Sequence, residues 1–328
     1  MACASPGVAV GPRAWLLSGA SAADQGGFVA GRRVSDQQAL LERAVAPRLH
    51  LQHGPIDLVI TADGRSDEVH DAFQQAAECF ADILDILAGQ LPRLRQLLRH
   101  DSLPEDFKGE VAQRMHAAAM PHVARQVTPM IAVAGAVADH VLQHLLAGRK
   151  LDRVQVNNGG DIALYLAPGQ SSRIGICPSP MSSHYSDIVT LKASSGVGGV
   201  ATSGWQGRSH SLGIADAVTV LAGNAAIADT AATLIANAVD LPGSLKVVRA
   251  SACSLTPDSD LGDRLVTIDV RGLTASEKTQ ALQAGEQCAR QLLSSGLLQA
   301  ACLHVQGQSR VVGSLFDHHH LAQENTGT

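Results

Sequence analysis

Two changes in the spacing of apolar residues limit this chain's folds more than any single motif. Residues 48–64, "RLHLQHGPIDLVITADG", alternate apolar and polar positions before a Gly-Pro turn. After the turn Ile56, Leu58, Val59 and Ile60 run close together, so two strands are predicted. From Asp67 the spacing becomes helical through Val69, Phe73, Ala76, Ala77, Phe80, Ile83, Leu84 and Leu87, predicting one long helix closed by Gly89 and Pro92. Helices are also predicted over 109–124 and 128–146, after a loop in "HDSLPEDFKGE". Thr128-Pro129 reads as an N-cap followed by proline in the first turn. The spacing then returns to strand type at 153–156, 162–166, 173–176, 188–193, 217–222 and 265–269. A helix begins at Asn224, another spans 275–293, and a strand over 299–305 closes the pattern.

Each half thus reads as strands, helices and strands again, which predicts an α+β fold of two related halves. No fixed period of about 20–50 residues recurs, so a solenoid is excluded. The lack of steady βαβ alternation argues against a Rossmann-type parallel sheet. A short strand is expected near 14–17 in a weakly patterned leader (1–45), the main domain over 46–308, and a polar tail over 309–328.

Of the 328 residues, 45% are hydrophobic and 17% charged, enough for a sizeable core. The net charge is −5 with no block of like charges, which argues against nucleic acid as a partner. The six cysteines are far apart and form no CxxC pair, so neither a zinc cluster nor a disulfide framework is expected, and a cytoplasmic location fits. No unbroken apolar run reaches the ~18 residues of a membrane span, and the "AWLL" near the N-terminus is too short for a signal peptide. No membrane partner is expected.

Four segments could carry chemistry. "VQVNNGGDIALYL" (154–166) joins two strands through Asn157-Asn158-Gly159-Gly160, which reads as a hairpin turn or as backbone open to a ligand. "GVGGVATSGWQG" reads as a glycine-studded loop with Thr202, Ser203 and Gly204, either flexible surface or a nest for an anion. Arg208 and His210 follow and could supply charge or a proton. "NAAIADTAATLIANAV" (224–239) is a helix of small apolar residues interrupted by Asp229, Thr233 and Asn237. Asp229 reads as an N-cap, the stripe reads as a solvated face, or Asp229 and Thr233, one turn apart, suit a hard cation such as Mg²⁺. "TPMIAVAGAVADHVL" (128–142) reads as a tightly packed core helix whose small residues allow close approach, and Gly135 could free a carbonyl or admit a ligand.

In this order the four segments resemble the ApbE superfamily, known for FAD:protein FMN transferases, and within it most closely a compact, functionally uncharacterised ApbE-like family. "VNNGGDI" resembles the Asn-x-Gly-Gly-Asp turn, with Asp161 at its Asp; "GVATSG" resembles the Ala-Thr-Ser-Gly loop; "IADTAAT" resembles the Asp-x-x-x-Thr helix start; and "IAVAGAVAD" matches at Gly135 and Asp139. Two departures stand out. Ala134 occupies the position of the transferases' Lys, and "HSLGIADAVTV" lacks the Pro and Thr-Gly of their His-x-x-Asp-Pro segment, so His210 matches only loosely.

The resemblance implies a duplicated T-fold-like architecture, antiparallel sheets backed by helices, with a cleft between the halves. It implies Mg²⁺ held by Asp229, Thr233 and a backbone carbonyl at or near Ala134. FAD or FMN would lie against Asn158, Gly159, Gly160, Thr202, Ser203, Gly204 and Arg208, with Asp161 or His210 as the base. Three functions stay open: FMN transfer from FAD to an acceptor protein, flavin or nucleotide binding without transfer, and a metabolic reaction on another small molecule. A homo-oligomer is compatible with each.

Overall fold

A computed structural model describes residues 15–16, 47–176, 187–207 and 209–315. Its centre is one nine-stranded sheet in which every neighbouring pair is antiparallel. In chain order the strands of the structure are β1 (Trp15–Leu16), β2 (Arg48–His53), β3 (Ile56–Gly64), β4 (Leu151–Asn158), β5 (Asp161–Leu166), β6 (Ser171–Ile176), β7 (Asp187–Lys192), β8 (Gly199–Ser203), β9 (Ala217–Ala222), β10 (Val247–Ser251), β11 (Leu265–Val270), β12 (Ala300–Val305) and β13 (Gln308–Gly313). The central sheet runs β1-β2-β3-β4-β5-β8-β9-β12-β13, while β6-β7 and β10-β11 form separate pairs. Five helices of ten residues or more are described: α1 (Ser66–Phe80), α2 (Glu110–Ala119), α3 (Val133–Leu146), α4 (Ala225–Ala238) and α5 (Ala275–Ser294). Each half therefore runs two strands, helices, two strands: β2-β3 and β4-β5 enclose α1 to α3, and β8-β9 and β12-β13 enclose α4 and α5.

Both faces of the sheet's middle are covered. On one face Val218, Val220 and Ala222 of β9 pack with α4 and α5. On the other, Leu221 joins Leu164, Val200 and Cys302 under Ile174, Ile176, Val189 and Leu191 of the β6-β7 pair. That is why β9 is buried at all six positions and reads as an unbroken apolar run. Helix α4 packs against β8, β9, α3 and α5 at once. Only small side chains let a helix approach so many neighbours, which accounts for its alanine content. The stretch Pro129–Leu146 has a hydropathy of 1.2 over 18 residues and passes for a membrane span by length and composition. More than half of it is buried inside the protein, where α3 packs between α1, α2 and α4 as a core helix.

Several expectations are corrected. The single helix through Leu87 ends at Phe80; the chain turns at Ala81–Asp82 and restarts as Ile83–Ala88, keeping Ile83 and Leu87 buried on a new axis. The helix expected over 109–124 stops at Ala119, because Pro121 cannot donate a helical hydrogen bond, and tighter turns follow over Met120–Arg125. Thr128 stands at the N-cap of a short 3-10 turn, Pro129–Ala132, with Pro129 first inside it as expected, but its hydroxyl caps no N–H and instead donates to Asp260 Oδ2 at 3.0 Å, joining the two halves. The centre of the glycine-studded segment, Gly199–Ser203, is not loop but strand β8, in the middle of the sheet, and only its two ends are loop. A Cβ on Gly199 would lie 2.1 Å from the backbone of Asn224, so this glycine permits contact with the start of α4. Strands β10 and β13 were not anticipated, and β13 occupies the beginning of the expected tail. The remainder of that tail and most of the leader lie outside the described residues, although Trp15–Leu16 pairs with β2 as a short strand.

The N-cap of α4 is Asn224, not Asp229: the Asn224 side chain accepts from the Ile227 N–H at 2.9 Å. Asn224→Ala is expected to cost about 1 kcal/mol, read as a lower urea midpoint with an unchanged slope.

Candidate functional site

Helices α3 and α4 meet near their N-terminal ends and exchange carboxylates. Asp139 of α3 accepts from the Ala225 N–H at 3.0 Å and the Ala226 N–H at 2.9 Å, two free donors at the start of α4. Asp229 of α4 in return accepts from the Gly135 N–H at 3.0 Å and from the Ala134 N–H, at the start of α3. Each carboxylate sits where the positive end of the other helix favours it. The crossing is tight enough that a Cβ on Gly135 would lie 2.2 Å from the Ala225 carbonyl oxygen.

The turn between β4 and β5 completes this corner. Asn158 pairs with Asp161 across a two-residue Gly159-Gly160 turn, with φ of 66° and 118°. These angles are those of the tight hairpin turn, which settles that segment as a hairpin. The Asn158 amide donates to the Ala134 carbonyl at 3.1 Å, and the Gly160 N–H donates to the Asn157 side chain at 2.9 Å. Asp161 accepts from the Thr202 N–H of β8.

A cavity of about 570 Å³ opens over this corner, lined from both halves. Ala134, Asp161, Asp229 and Thr233 line it together, and so does His210, whose Nε2 lies 2.9 Å from Thr256 Oγ1. Arg95 and Arg264 also line it, and neither makes an ion pair among the described residues. Arg125 is turned to α5, donating to Cys288 Sγ at 3.2 Å and Gln291 Oε1 at 3.1 Å. Asn237 reaches the cavity too, but its side chain is engaged by the Ser211 hydroxyl (3.2 Å) and the Leu212 N–H (2.9 Å), anchoring the segment that carries His210.

The carboxylates are held in an unusual state. Burial pushes the Asp229 carboxyl from 3.8 up to about 7, opposed by the Gly135 and Ala134 N–H groups and assisted by the charge on Asp139. Burial and then the Asp229 charge raise Asp161 well above the ordinary carboxylate range, against the Thr202 N–H. Burial also raises Asp139, against its bonds to Ala225 and Ala226. Asp161 and Asp229 line one cavity, where the Asp229 charge helps raise Asp161, and with the Thr233 hydroxyl and the Ala134 carbonyl they make an all-oxygen donor set that fits a hard cation such as Mg²⁺.

Not every expected residue reaches the cavity. Asn158 is buried behind it, bonded to Ala134. Gly159 and Gly160 form the turn, and neither lines the cavity. Thr202, Ser203 and Gly204 do not line it either; Thr202 points away from the helices and its hydroxyl lies 2.9 Å from that of Thr219, its cross-strand partner. Their expected role in cofactor contact came from the resemblance of "GVATSG" to the Ala-Thr-Ser-Gly loop, and the anion nest from reading a loop where β8 lies. Arg208 lies outside the described residues. Trp205, whose indole N–H donates to Asp216 Oδ1, and Tyr165, which packs on the apolar core around α1 to α3, do not line the cavity. Arg95 and Arg264 were not anticipated, because they come from distant segments with no motif around them.

A family model described as AbpE bacteria matches residues 38–311. This chain belongs to that AbpE family. The matched span contains every residue of the cavity corner described above. Among curated relatives, the AbpE-family chain is 37% identical over 146 residues to a UPF0280 protein of Methanothrix thermoacetophila, covering 44% of this chain and 58% of that protein. The chain spans about half the length of the curated relatives it matches. Similar solved structures include an ApbE protein from Thermotoga maritima (15% identity, 77% of each chain, TM-score 0.35). Another is the flavinyl transferase ApbE of Pseudomonas stutzeri (16% identity, 55% of this chain and 79% of that one, TM-score 0.31).

Proposed function

We propose that the cavity binds FAD with Mg²⁺ and breaks the FAD pyrophosphate, passing FMN to a hydroxyl of an acceptor protein. The observation that carries this reading is the placement of Asp229, Thr233, Asp161 and the Ala134 carbonyl in one cavity with two uncommitted guanidinium groups, Arg95 and Arg264. Oxygen donors beside basic groups suit a cation completed by substrate phosphates. The motif order shared with FAD:protein FMN transferases selects a flavin dinucleotide among such ligands.

Asp229, Thr233 and the Ala134 carbonyl would hold Mg²⁺, which neutralises charge on the pyrophosphate when bound. Arg95 and Arg264 would bind phosphate oxygens and orient the chain of the ligand. The acceptor hydroxyl oxygen forms a new bond to the FMN phosphorus, the bond from that phosphorus to the bridging oxygen breaks, and AMP leaves with that oxygen. Asp161 in its ionised form would take the hydroxyl proton, and its raised affinity for a proton makes that carboxylate a stronger base than an exposed one. His210 and Thr256 lie within hydrogen-bonding distance of each other at the cavity lining and would order its edge.

A second reading, nucleotide binding without transfer, is favoured by two observations. Ala134 stands where the transferases carry Lys. The described cavity lining includes no Phe, Trp or Tyr to stack on an isoalloxazine. Incubation with FAD, Mg²⁺ and a flavin-accepting protein separates the readings. Transfer gives AMP and protein-bound flavin, and Asp229→Ala lowers AMP release by at least about 100-fold. Tight flavin binding with no AMP supports the second reading. Absence of flavin binding defeats both and leaves a metabolic reaction on another small molecule.

A further inference from the structure

We propose that Glu110, His140 and His144 form a second metal site, apart from the cavity, that takes a divalent transition ion of the Zn²⁺ class. His140 and His144 lie one turn apart on α3, and Glu110 is the first residue of α2, which packs against it. One ligand atom from each lies within 4.8 Å of the other two. His140 Nδ1 is 3.4 Å from Glu110 Oε2. Two ligands held about 2.1 Å from one ion at a tetrahedral angle stand about 3.4 Å apart, so this pair is already spaced for coordination.

The same nitrogen supplies an independent sign. His140 Nδ1 is buried and, although it faces Glu110 Oε2, makes no well-aligned hydrogen bond. A buried polar atom left unmet is costly, and an ion between it and Glu110 would satisfy it. The two imidazole rings stand edge to face with centroids 4.6 Å apart. Two imidazoles and one carboxylate are the donor set of an open zinc site, whereas Mg²⁺ favours oxygen alone. His144 lies in the last turn of α3, where the helix dipole favours a cation. The Glu110 side chain is 60% exposed, which leaves an entry path and a free coordination position.

The site does not depend on the cavity's function. His140 and His144 lie six and ten residues beyond Ala134, about 9 and 15 Å along the helix.

The test is an equilibrium titration of the full chain with Zn²⁺ against a chromophoric chelator. His318, His319 and His320 are first changed to Ala so that this histidine run does not compete. One equivalent should bind, and Co²⁺ in its place should show the visible absorption of a low-coordinate site. His144→Ala and Glu110→Gln should each weaken Zn²⁺ by about tenfold or more, with metal-free thermal unfolding unchanged. Asp229→Ala should leave Zn²⁺ affinity as it was. Less than one equivalent, or equal affinity in wild type and Glu110→Gln, overturns the proposal. Loss of Zn²⁺ in Asp229→Ala also overturns it, by assigning the ion to the cavity. If His144→Ala does not fold, the largely exposed Glu110→Gln carries the test.

Discussion

Gly135→Ala is expected to lower the unfolding free energy by about 3 kcal/mol or more, or to prevent folding altogether. A Cβ at this position would meet Ala225 O at 2.2 Å, Ala225 C at 2.5 Å and Ala226 N at 2.7 Å. All three are backbone atoms, so no side chain can swing aside. Helices α3 and α4 must separate instead. Separation stretches the bonds from Ala225 and Ala226 to Asp139 and from Gly135 to Asp229, so one methyl group strikes both helix starts together. Gly223→Ala is the control. Its Cβ would meet nothing within 4 Å, although it lies just before the same helix, and a change within about 0.5 kcal/mol is expected. Urea unfolding of the two variants measures the contrast, and equal midpoints would refute the contact as described.

The second large effect is on the pH dependence of stability. Burial raises the Asp229 carboxyl from 3.8 to about 7, so between these values the folded chain binds a proton that the unfolded chain has lost. More protons on the folded side means that stability falls as pH rises. The stabilisation is fully present below about pH 4 and lost by about pH 7; for one such group the loss is on the order of a few kcal/mol. Asp161 acts in the same direction. A divalent cation reverses the trend, because it binds the ionised carboxylates and no longer leaves their charges unopposed. Thermal unfolding should therefore show a marked gain with Mg²⁺ at pH 8 and little at pH 5. Asp229→Asn should flatten the metal-free profile and abolish the Mg²⁺ gain. An equal Mg²⁺ effect at both pH values would defeat the cation site.

Much of this was readable in the chain, and the failures share a cause. Close apolar runs located β3 and β9 and helical spacing located α1 and α5, because each of these elements buries a continuous set of apolar side chains. Helix α4 was legible to the point that Asp229 and Thr233 could be aimed at one place, since their separation is set by the helix itself. Glycine misled the reading of β8. Local propensity ties Gly198, Gly199 and Gly204 to loops, but Gly198 and Gly199 pack against the backbone before and at the start of α4, and Gly204 against Asp216. Proline misled at Pro121 and Pro129, where a tight turn replaced a helical one. The matching of Asp139 hinted at importance without its role, because a carboxylate serving another helix leaves no trace in its own periodicity. Arg95 and Arg264 had no signal at all, since only the folded chain brings them to Asp229.

The exchanged carboxylates also bear on how the two halves can be treated as parts. Asp139 and Asp229 come from opposite halves, and each satisfies the helix start that the other half presents. Cut between β7 and β8, either fragment would keep a carboxylate with no helix to serve and a helix with no carboxylate to serve it. The halves share an element order, but they are interdependent pieces of one unit rather than interchangeable modules. A change that retunes the acidity of the cavity therefore also changes how firmly the halves hold together.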